Sequence, residues 1–181
     1  MNTEDQESAI LAALTRSRVY KSLAKAFSYP SQEAFEFICS PMFREAFLDL
    51  ADTYDDDASL RRRCEELTAM HSSLSAPDRR ELLEQEYNRL FAHIGSAKCP
   101  PYETEYGHEN VFQKTEAMAD IAGFYNAYGL EVSSVNTDRV DFIGTELEFM
   151  AYLSLHEAYA LEHSEDEHLA VCLDSQRKFM A

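Results

Sequence analysis

The sequence predicts an all-α fold, arranged as a single-domain bundle of six to eight helices that spans residues 1–181. Through most of the chain, apolar residues recur at the three- and four-residue spacing of amphipathic helices. Only five glycines and five prolines occur among the 181 residues, whereas an all-β fold needs a turn about every ten residues. Hydrophobic residues make up 45% of the chain, which is enough to form one core.

The first three helices are marked by their start and stop signals. Residues 8–27 carry an apolar stripe, and Pro30 ends that helix because proline disfavours helical geometry at the preceding residue. Ser31 is suited to cap a short helix that runs through residue 38. Pro41 suits the first turn of another short helix, which is expected to end near residue 50.

Two more helices are predicted in the middle of the chain. Residues 60–74 form the first, and the second starts near Ser75 and Pro77 and runs to Phe91. The second helix has its apolar residues at positions 82, 83, 87, 90 and 91, which lie on one stripe of a helical surface. We therefore expect the end of this helix to present aromatic side chains to the segment that follows.

The last three helices begin after residue 108. One is expected over residues 109–128 and stops at Gly129, which suits the left-handed position that follows many helices. Thr137 or Asp138 is expected to cap a long helix that continues to about residue 163. The acidic stretch "SEDEH" then starts a final helix that runs into the C-terminus.

The segment "DRVDFIGTELEFM" opens the longest of these predicted helices. Helical spacing would place Phe142, Glu146 and Phe149 on one face. Asp138 and Asp141 would then lie near the positive end of the helix dipole, where acids are stable without a partner. A capped amphipathic helix therefore explains this segment without any ligand.

The charge of the chain limits its partners. A formal charge of −17 and a pI of about 4.6 disfavour binding to nucleic acid or to an anionic membrane, and favour cationic partners. Solubility alone would explain the same charge equally well. No run of apolar residues is long enough to span a membrane, and the acidic N-terminus does not resemble a secretory signal. The four cysteines are far apart, as expected for the reduced thiols of a cytoplasmic protein.

The sequence offers one enzyme alternative, a carboxylate-bridged di-metal centre in a helical bundle. Such centres use two Glu-x-x-His pairs, and this spacing occurs from Glu105 to His108 and from Glu165 to His168. The first pair lies beside two prolines and a glycine, and the second lies among acids that suit a helix start anyway. No other catalytic, phosphate-binding or metal motif occurs, so we predict no catalytic residue, no metal and no cofactor.

The loop "CPPYETEYG" interrupts this helical pattern. Its two adjacent prolines favour an extended backbone, its tyrosines offer rigid contact area, and its glutamates suit Lys or Arg of a ligand. The same tyrosines could instead hold the loop against the core. The residues alone leave binding and anchoring as equal alternatives.

Four segments in order carry a family resemblance. "LAKAFSYP", "EYNRLF", "PPYETEYG" and "DRVDFIGTELEFM" resemble the successive signature segments of the TorD/DmsD/NarJ family of cytoplasmic chaperones for molybdenum-enzyme maturation. The resemblance implies a TorD-like all-helical fold that binds the N-terminal, often twin-arginine, region of an apo-molybdoenzyme catalytic subunit. It also implies support for molybdenum cofactor insertion before export or membrane attachment. A chain that lacks the family's last helical segment would expose an apolar surface that self-association can cover, so we expect a monomer or a homodimer, in which helices can be exchanged.

The resemblance assigns client binding to residues in three of these segments. They are Tyr87, Leu90, Phe91, Pro100, Pro101, Tyr102, Glu103, Glu105, Tyr106, Asp141, Phe142 and Glu146. Two positions depart from the family pattern: Phe142 replaces the usual histidine, and Thr104 replaces the usual serine of the loop. The chain ends at "QRKFMA", where the family commonly continues with another helical segment, so we expect either a short member or a missing C-terminal segment.

Overall fold

The computed structural model describes residues 3–54, 56–74, 79–91, 99–106, 110–133 and 138–181. Within these ranges the chain forms eight α-helices and no strand, which confirms the predicted all-α bundle. The helices are α1 (Thr3–Phe27), α2 (Gln32–Ile38), α3 (Pro41–Thr53), α4 (Ala58–Leu74), α5 (Arg79–Phe91), α6 (Val111–Ala127), α7 (Ile143–His163) and α8 (Asp166–Phe179). A short 3-10 turn, Glu103–Glu105, lies between α5 and α6.

Helix α1 packs along α7 and forms the axis of the bundle. Small buried residues such as Ala13, Ala24 and Ala160 let the two helices approach closely. The Ser17 hydroxyl donates to the carbonyl of Ala151 at 2.7 Å, which ties the two backbones together. Helix α7 is therefore buried along much of its length, and it is the rigid element on which other segments are placed.

Two apolar clusters flank this axis. Val19, Phe43 and Phe47 belong to the first cluster, which joins α1 to α2, α3 and α4. The second cluster joins α6 to α7 around Tyr125 and Phe149, with Phe179 of α8 packed against both rings. Burial of such side chains contributes about 1.5–3 kcal/mol each and holds the helices in place.

Most of the predicted helix boundaries agree with the structure. The Ser31 hydroxyl accepts a hydrogen bond from the backbone of Ala34 and caps α2, and Pro41 lies in the first turn of α3. Gly129 has a φ of +68° directly after the cap of α6, a conformation that side chains with a Cβ rarely adopt. The predicted start near Ser75 and Pro77 lies outside the described residues, and α5 is observed from Arg79 onward.

The predicted start of α7 is wrong. Asp138 does not cap it, and the other predicted cap, Thr137, lies outside the described residues. The helix begins at Ile143, with Phe142 at the N-cap position and no side-chain cap. The preceding residues instead turn back, with the amide of Phe142 donating to the carbonyl of Arg139, and pair with the loop before α6.

Candidate functional site

The loop 99–106 is held by backbone hydrogen bonds against the start of α7. The amide of Glu103 donates to the carbonyl of Asp141 at 3.0 Å, and the amide of Ile143 donates to the carbonyl of Pro101 at 2.9 Å. Tyr102 and Phe142 form an isolated antiparallel bridge between these two contacts. The loop is therefore a fixed wall of the site, placed by the same residues that delay the start of the helix.

A buried polar cluster fixes this pairing. Thr104 and Asp141 are both 0% exposed, and the Thr104 hydroxyl donates to Oδ2 of Asp141 at 2.7 Å. Arg139 donates to both carboxylate oxygens of Asp141, at 2.9 and 2.7 Å, and to the Thr104 hydroxyl at 2.7 Å. Because every one of these buried groups is paired, the cluster anchors the loop instead of leaving a polar site open to a ligand.

Glu105 and Tyr102 also contact charged groups of their own chain. The carboxylate of Glu105 accepts from Lys114 at 2.7 Å and from Arg139 at 3.3 Å. The hydrogen bond from Lys114 is the main reason why the pKa of Glu105 is lowered. The Arg139 guanidinium lies 4.5 Å from the centre of the Tyr102 ring, within cation–π range.

Aromatic side chains form the opposite wall. Phe27 at the end of α1 lies 6.2 Å, centroid to centroid, from Phe91 at the end of α5. Tyr87 packs edge-on against Phe91 at 5.0 Å, and its hydroxyl donates to the carbonyl of Phe27 at 3.2 Å. Helix α5 is thereby tied to α1 next to the loop.

A cavity of about 340 Å³ lies between the loop and this aromatic wall. We call it the groove. Its lining is mostly apolar, with two carboxyl groups from different elements. The lining residues are Phe27, Phe91, Cys99, Pro100, Pro101, Tyr102, Glu103, Tyr106, Ile143 and Glu146.

Glu146 is the unusual group of the groove. Its Oε1 atom is buried and accepts no hydrogen bond from any part of the chain that the structure describes. Burial raises the pKa of Glu146 to about 8, and the neighbouring carboxylates of Glu103 and then Asp141 add to that effect. A carboxyl group in this position gains from a cation, because a cation would offset both the burial and the repulsion.

The predicted site residues therefore divide into two groups. Those that line the groove are Phe91, Pro100, Pro101, Tyr102, Glu103, Tyr106 and Glu146. Those that lie outside its lining are Tyr87, Leu90, Glu105, Asp141 and Phe142. Their role in binding a client stays a prediction.

The sequence did not predict Phe27, Cys99 and Ile143 as lining residues of the groove. It also did not predict that Arg139 is the centre of the buried polar cluster, which we call the anchor. Phe27 lies in the "LAKAFSYP" segment and Arg139 in "DRVDFIGTELEFM", but the resemblance assigns client binding to neither of them. Cys99 precedes the two prolines of the loop, and Ile143 lies inside the predicted helix, in the segment "DRVDFIGTELEFM". The positions of these residues along the chain do not indicate that the side chains of Phe27, Cys99 and Ile143 line one cavity.

The di-metal alternative gains nothing from the residues that the structure describes. Among them, no group of three or more His, Cys, Asp or Glu side chains is placed to hold a metal ion. Glu105 is paired with Lys114 and Arg139, and His108 lies outside the described residues. In the second pair, His168 contacts Glu165 directly at 3.0 Å.

Comparison with known protein families identifies the family of this chain. A family model described as nitrate reductase delta subunit matches residues 54–181, more than two thirds of the chain. The chain belongs to the nitrate reductase delta subunit family. Members of this family are redox-enzyme maturation proteins, which act as chaperones for molybdoenzyme maturation. The match supports the predicted family relationship broadly and does not point to TorD or DmsD in particular.

The match to the delta subunit family includes every predicted site residue but not α1, which supplies Phe27 to the groove. A search of curated proteins and a search of solved structures each gave no match. Among the described residues, no helix is both long and apolar enough to cross a bilayer. The family assignment therefore rests on the sequence pattern of α4 to α8 and the segments between them.

Proposed function

We propose that this protein is a system-specific cytoplasmic chaperone that binds the N-terminal signal region of an apo-molybdoenzyme catalytic subunit. It holds that region while the molybdenum cofactor is inserted, and thereby delays export or membrane attachment. The chaperone is a monomer or a homodimer and needs no cofactor of its own. Membership of the delta subunit family supports the general role, because this family acts on the catalytic subunit of a molybdenum enzyme.

The observation that carries the proposal is a half-buried carboxyl group in an apolar groove, whose buried Oε1 atom has no hydrogen-bond partner among the described residues. A signal region with paired arginines next to an apolar run has both features that this groove would recognise. The guanidinium groups suit Glu146 and Glu103, and apolar side chains suit the surface formed by Phe27, Phe91 and Ile143. A net charge of −17 would also speed the approach of a cationic peptide.

The size of the groove limits what it holds. About 340 Å³ is near the lower end of the volumes of ligand pockets. The groove therefore takes one or two anchor side chains, and the rest of the peptide lies across the surrounding surface. In such interfaces a few buried side chains supply most of the binding energy.

Calorimetric titration with a synthetic peptide tests the proposal. The peptide carries two adjacent arginines followed by an apolar run, and a matched peptide has both arginines replaced by glutamine. Phe91→Ala should weaken binding of the first peptide about tenfold or more, since burying a Phe side chain contributes about 1.5–3 kcal/mol. Leu82→Ala is the matched control, because Leu82 is an exposed apolar residue of the same helix that does not line the groove.

The two peptides separate the apolar and the charged parts of the recognition. With Glu146→Gln, the arginine and glutamine peptides should differ in affinity less than they do with the unmodified protein. Equal effects of Phe91→Ala and Leu82→Ala, with unchanged circular dichroism, would exclude the groove as the binding site. The N-terminal peptide of a molybdoenzyme catalytic subunit from the same organism should compete with the synthetic peptide.

A further inference from the structure

Helices α7 and α8 bring two histidines together at a distance from the groove. Nδ1 of His156 lies 3.4 Å from Nε2 of His168, with the ring centroids 5.4 Å apart. Ten residues of α7, about 15 Å of helix, separate His156 from Glu146 in the groove. This pair is independent of the groove, and the proposed peptide binding does not use it.

Glu165 determines which nitrogen of His168 carries the proton. Its Oε2 atom lies 3.0 Å from Nδ1 of His168, so that Nδ1–H donates to the carboxylate. The lone pair of His168 is then on Nε2, the atom that faces His156. In the structure this lone pair accepts from Nδ1–H of His156, so a bound ion would replace that hydrogen bond, with the proton of His156 moved to its Nε2. A carboxylate behind the outer ring nitrogen is the arrangement that orients histidine ligands in metal sites.

The distance between the two facing nitrogens fits a tetrahedral metal. Zinc–nitrogen bonds of 2.0–2.1 Å at a tetrahedral angle place two ligand nitrogens about 3.3–3.4 Å apart. Two adjacent nitrogens of a square-planar site would be closer, at about 2.9 Å. The observed 3.4 Å agrees with the tetrahedral value.

The surroundings of the pair favour a fixed geometry. The His156 ring packs on Tyr152 at 4.2 Å, which limits its rotation, and α8 fixes the backbone of His168 against α7. The His168 side chain is 31% exposed, so an ion can reach it from solvent.

We propose that His156 and His168 form a two-histidine site for a divalent transition metal of the zinc type. Glu165 acts as a positioning residue for His168 and does not itself bind the metal, which distinguishes this site from the di-metal centre considered above. Since no third His, Cys, Asp or Glu ligand joins them among the described residues, water completes the coordination. The affinity is therefore well below that of four-ligand structural sites.

Titration of the untagged full-length chain with zinc chloride, in a non-chelating buffer, tests this site by calorimetry. His156→Ala and His168→Ala should each abolish the binding event. Glu165→Gln should weaken it by about 10–100-fold while leaving both ligands in place. His163→Ala is the matched control, because its ring stacks on Tyr159 and does not face the pair.

Nuclear magnetic resonance of the histidine side chains assigns the bound ion to these residues. Zinc should shift the ring nitrogen signals of His156 and His168 and leave those of His163 unchanged, whatever ions the cysteines bind elsewhere. Absence of zinc binding, or an equal loss in His163→Ala and His168→Ala, would leave only a hydrogen bond between the rings and would overturn the proposal. If His168→Ala alters the circular dichroism, His168→Gln replaces it in the same comparison.

Discussion

Replacing Glu146 by glutamine tests the central feature of the groove. Glutamine has nearly the shape of a protonated glutamate, but it does not ionise. In the folded protein burial raises the pKa of Glu146 to about 8, whereas in the unfolded chain the group titrates near its ordinary value of 4.5. Between these values the folded state holds a proton that the unfolded state has lost, so stability falls as the pH rises toward 8.

The size of the effect follows from this proton balance. Each pH unit between these two pKa values lowers the free energy of unfolding by about 1.4 kcal/mol for one fully linked proton. The loss between about pH 6 and about pH 8 therefore cannot exceed about 2.7 kcal/mol. The Glu146 side chain is partly exposed, and water screens part of the penalty. We therefore expect the stability advantage of Glu146→Gln over the unmodified protein to grow by about 1–1.5 kcal/mol between about pH 6 and about pH 8.

Urea denaturation at a series of pH values measures this difference directly. The unmodified protein, Glu146→Gln and Glu148→Gln are compared, since Glu148 is an exposed acid on the same helix and controls for the loss of one negative charge. The gain should grow with pH only in Glu146→Gln. A gain that does not change with pH, or that also appears in Glu148→Gln, would refute the assignment of a raised pKa to this carboxyl group.

Three further predictions follow from the same contacts. The affinity for the arginine peptide should rise about three- to tenfold from about pH 6 to about pH 8 by calorimetry, because Glu146 ionises, and the rise should vanish in Glu146→Gln. Thr104→Val should cost about 1–3 kcal/mol in urea denaturation because it leaves Asp141 short of a donor, while Thr104→Ser should cost less. Arg16→Ala should cost about 3 kcal/mol in thermal unfolding, because the 6%-exposed Glu157 loses two hydrogen bonds.

Most of the fold could be predicted from the sequence because most of its helices are marked by local signals. Ser31 caps α2 through a contact three residues away, and Gly129 ends α6 through its own backbone conformation. The start of α7 could not be predicted in this way. The residues before Ile143 bond to the loop about forty positions earlier in the chain, and this long-range pairing overrides a local cap at Asp138.

The candidate site could be predicted only at the level of segments. The family resemblance pointed to segments that line the groove, but the division between lining and anchoring residues depends on which way each side chain points. Glu105 and Glu146 illustrate this limit, since both are acids in signature segments. Glu105 is neutralised by Lys114 and Arg139, whereas Glu146 has a buried oxygen with no hydrogen-bond partner in the described part of the chain. No spacing rule distinguishes the two.

The two departures from the family pattern have a common explanation in the anchor. Phe142, which stands where the family usually has histidine, is 5% exposed and packs on Tyr102 at 5.9 Å. Its ring also lies against Gly144, where a Cβ atom would be 2.4 Å from the ring. A side chain at position 144 would therefore clash with Phe142. Polar contacts to the loop come from Arg139, which donates to Thr104 and Asp141. The hydroxyl of Thr104 therefore contributes two hydrogen bonds to the buried polar cluster, and Phe142 contributes packing in place of a polar contact.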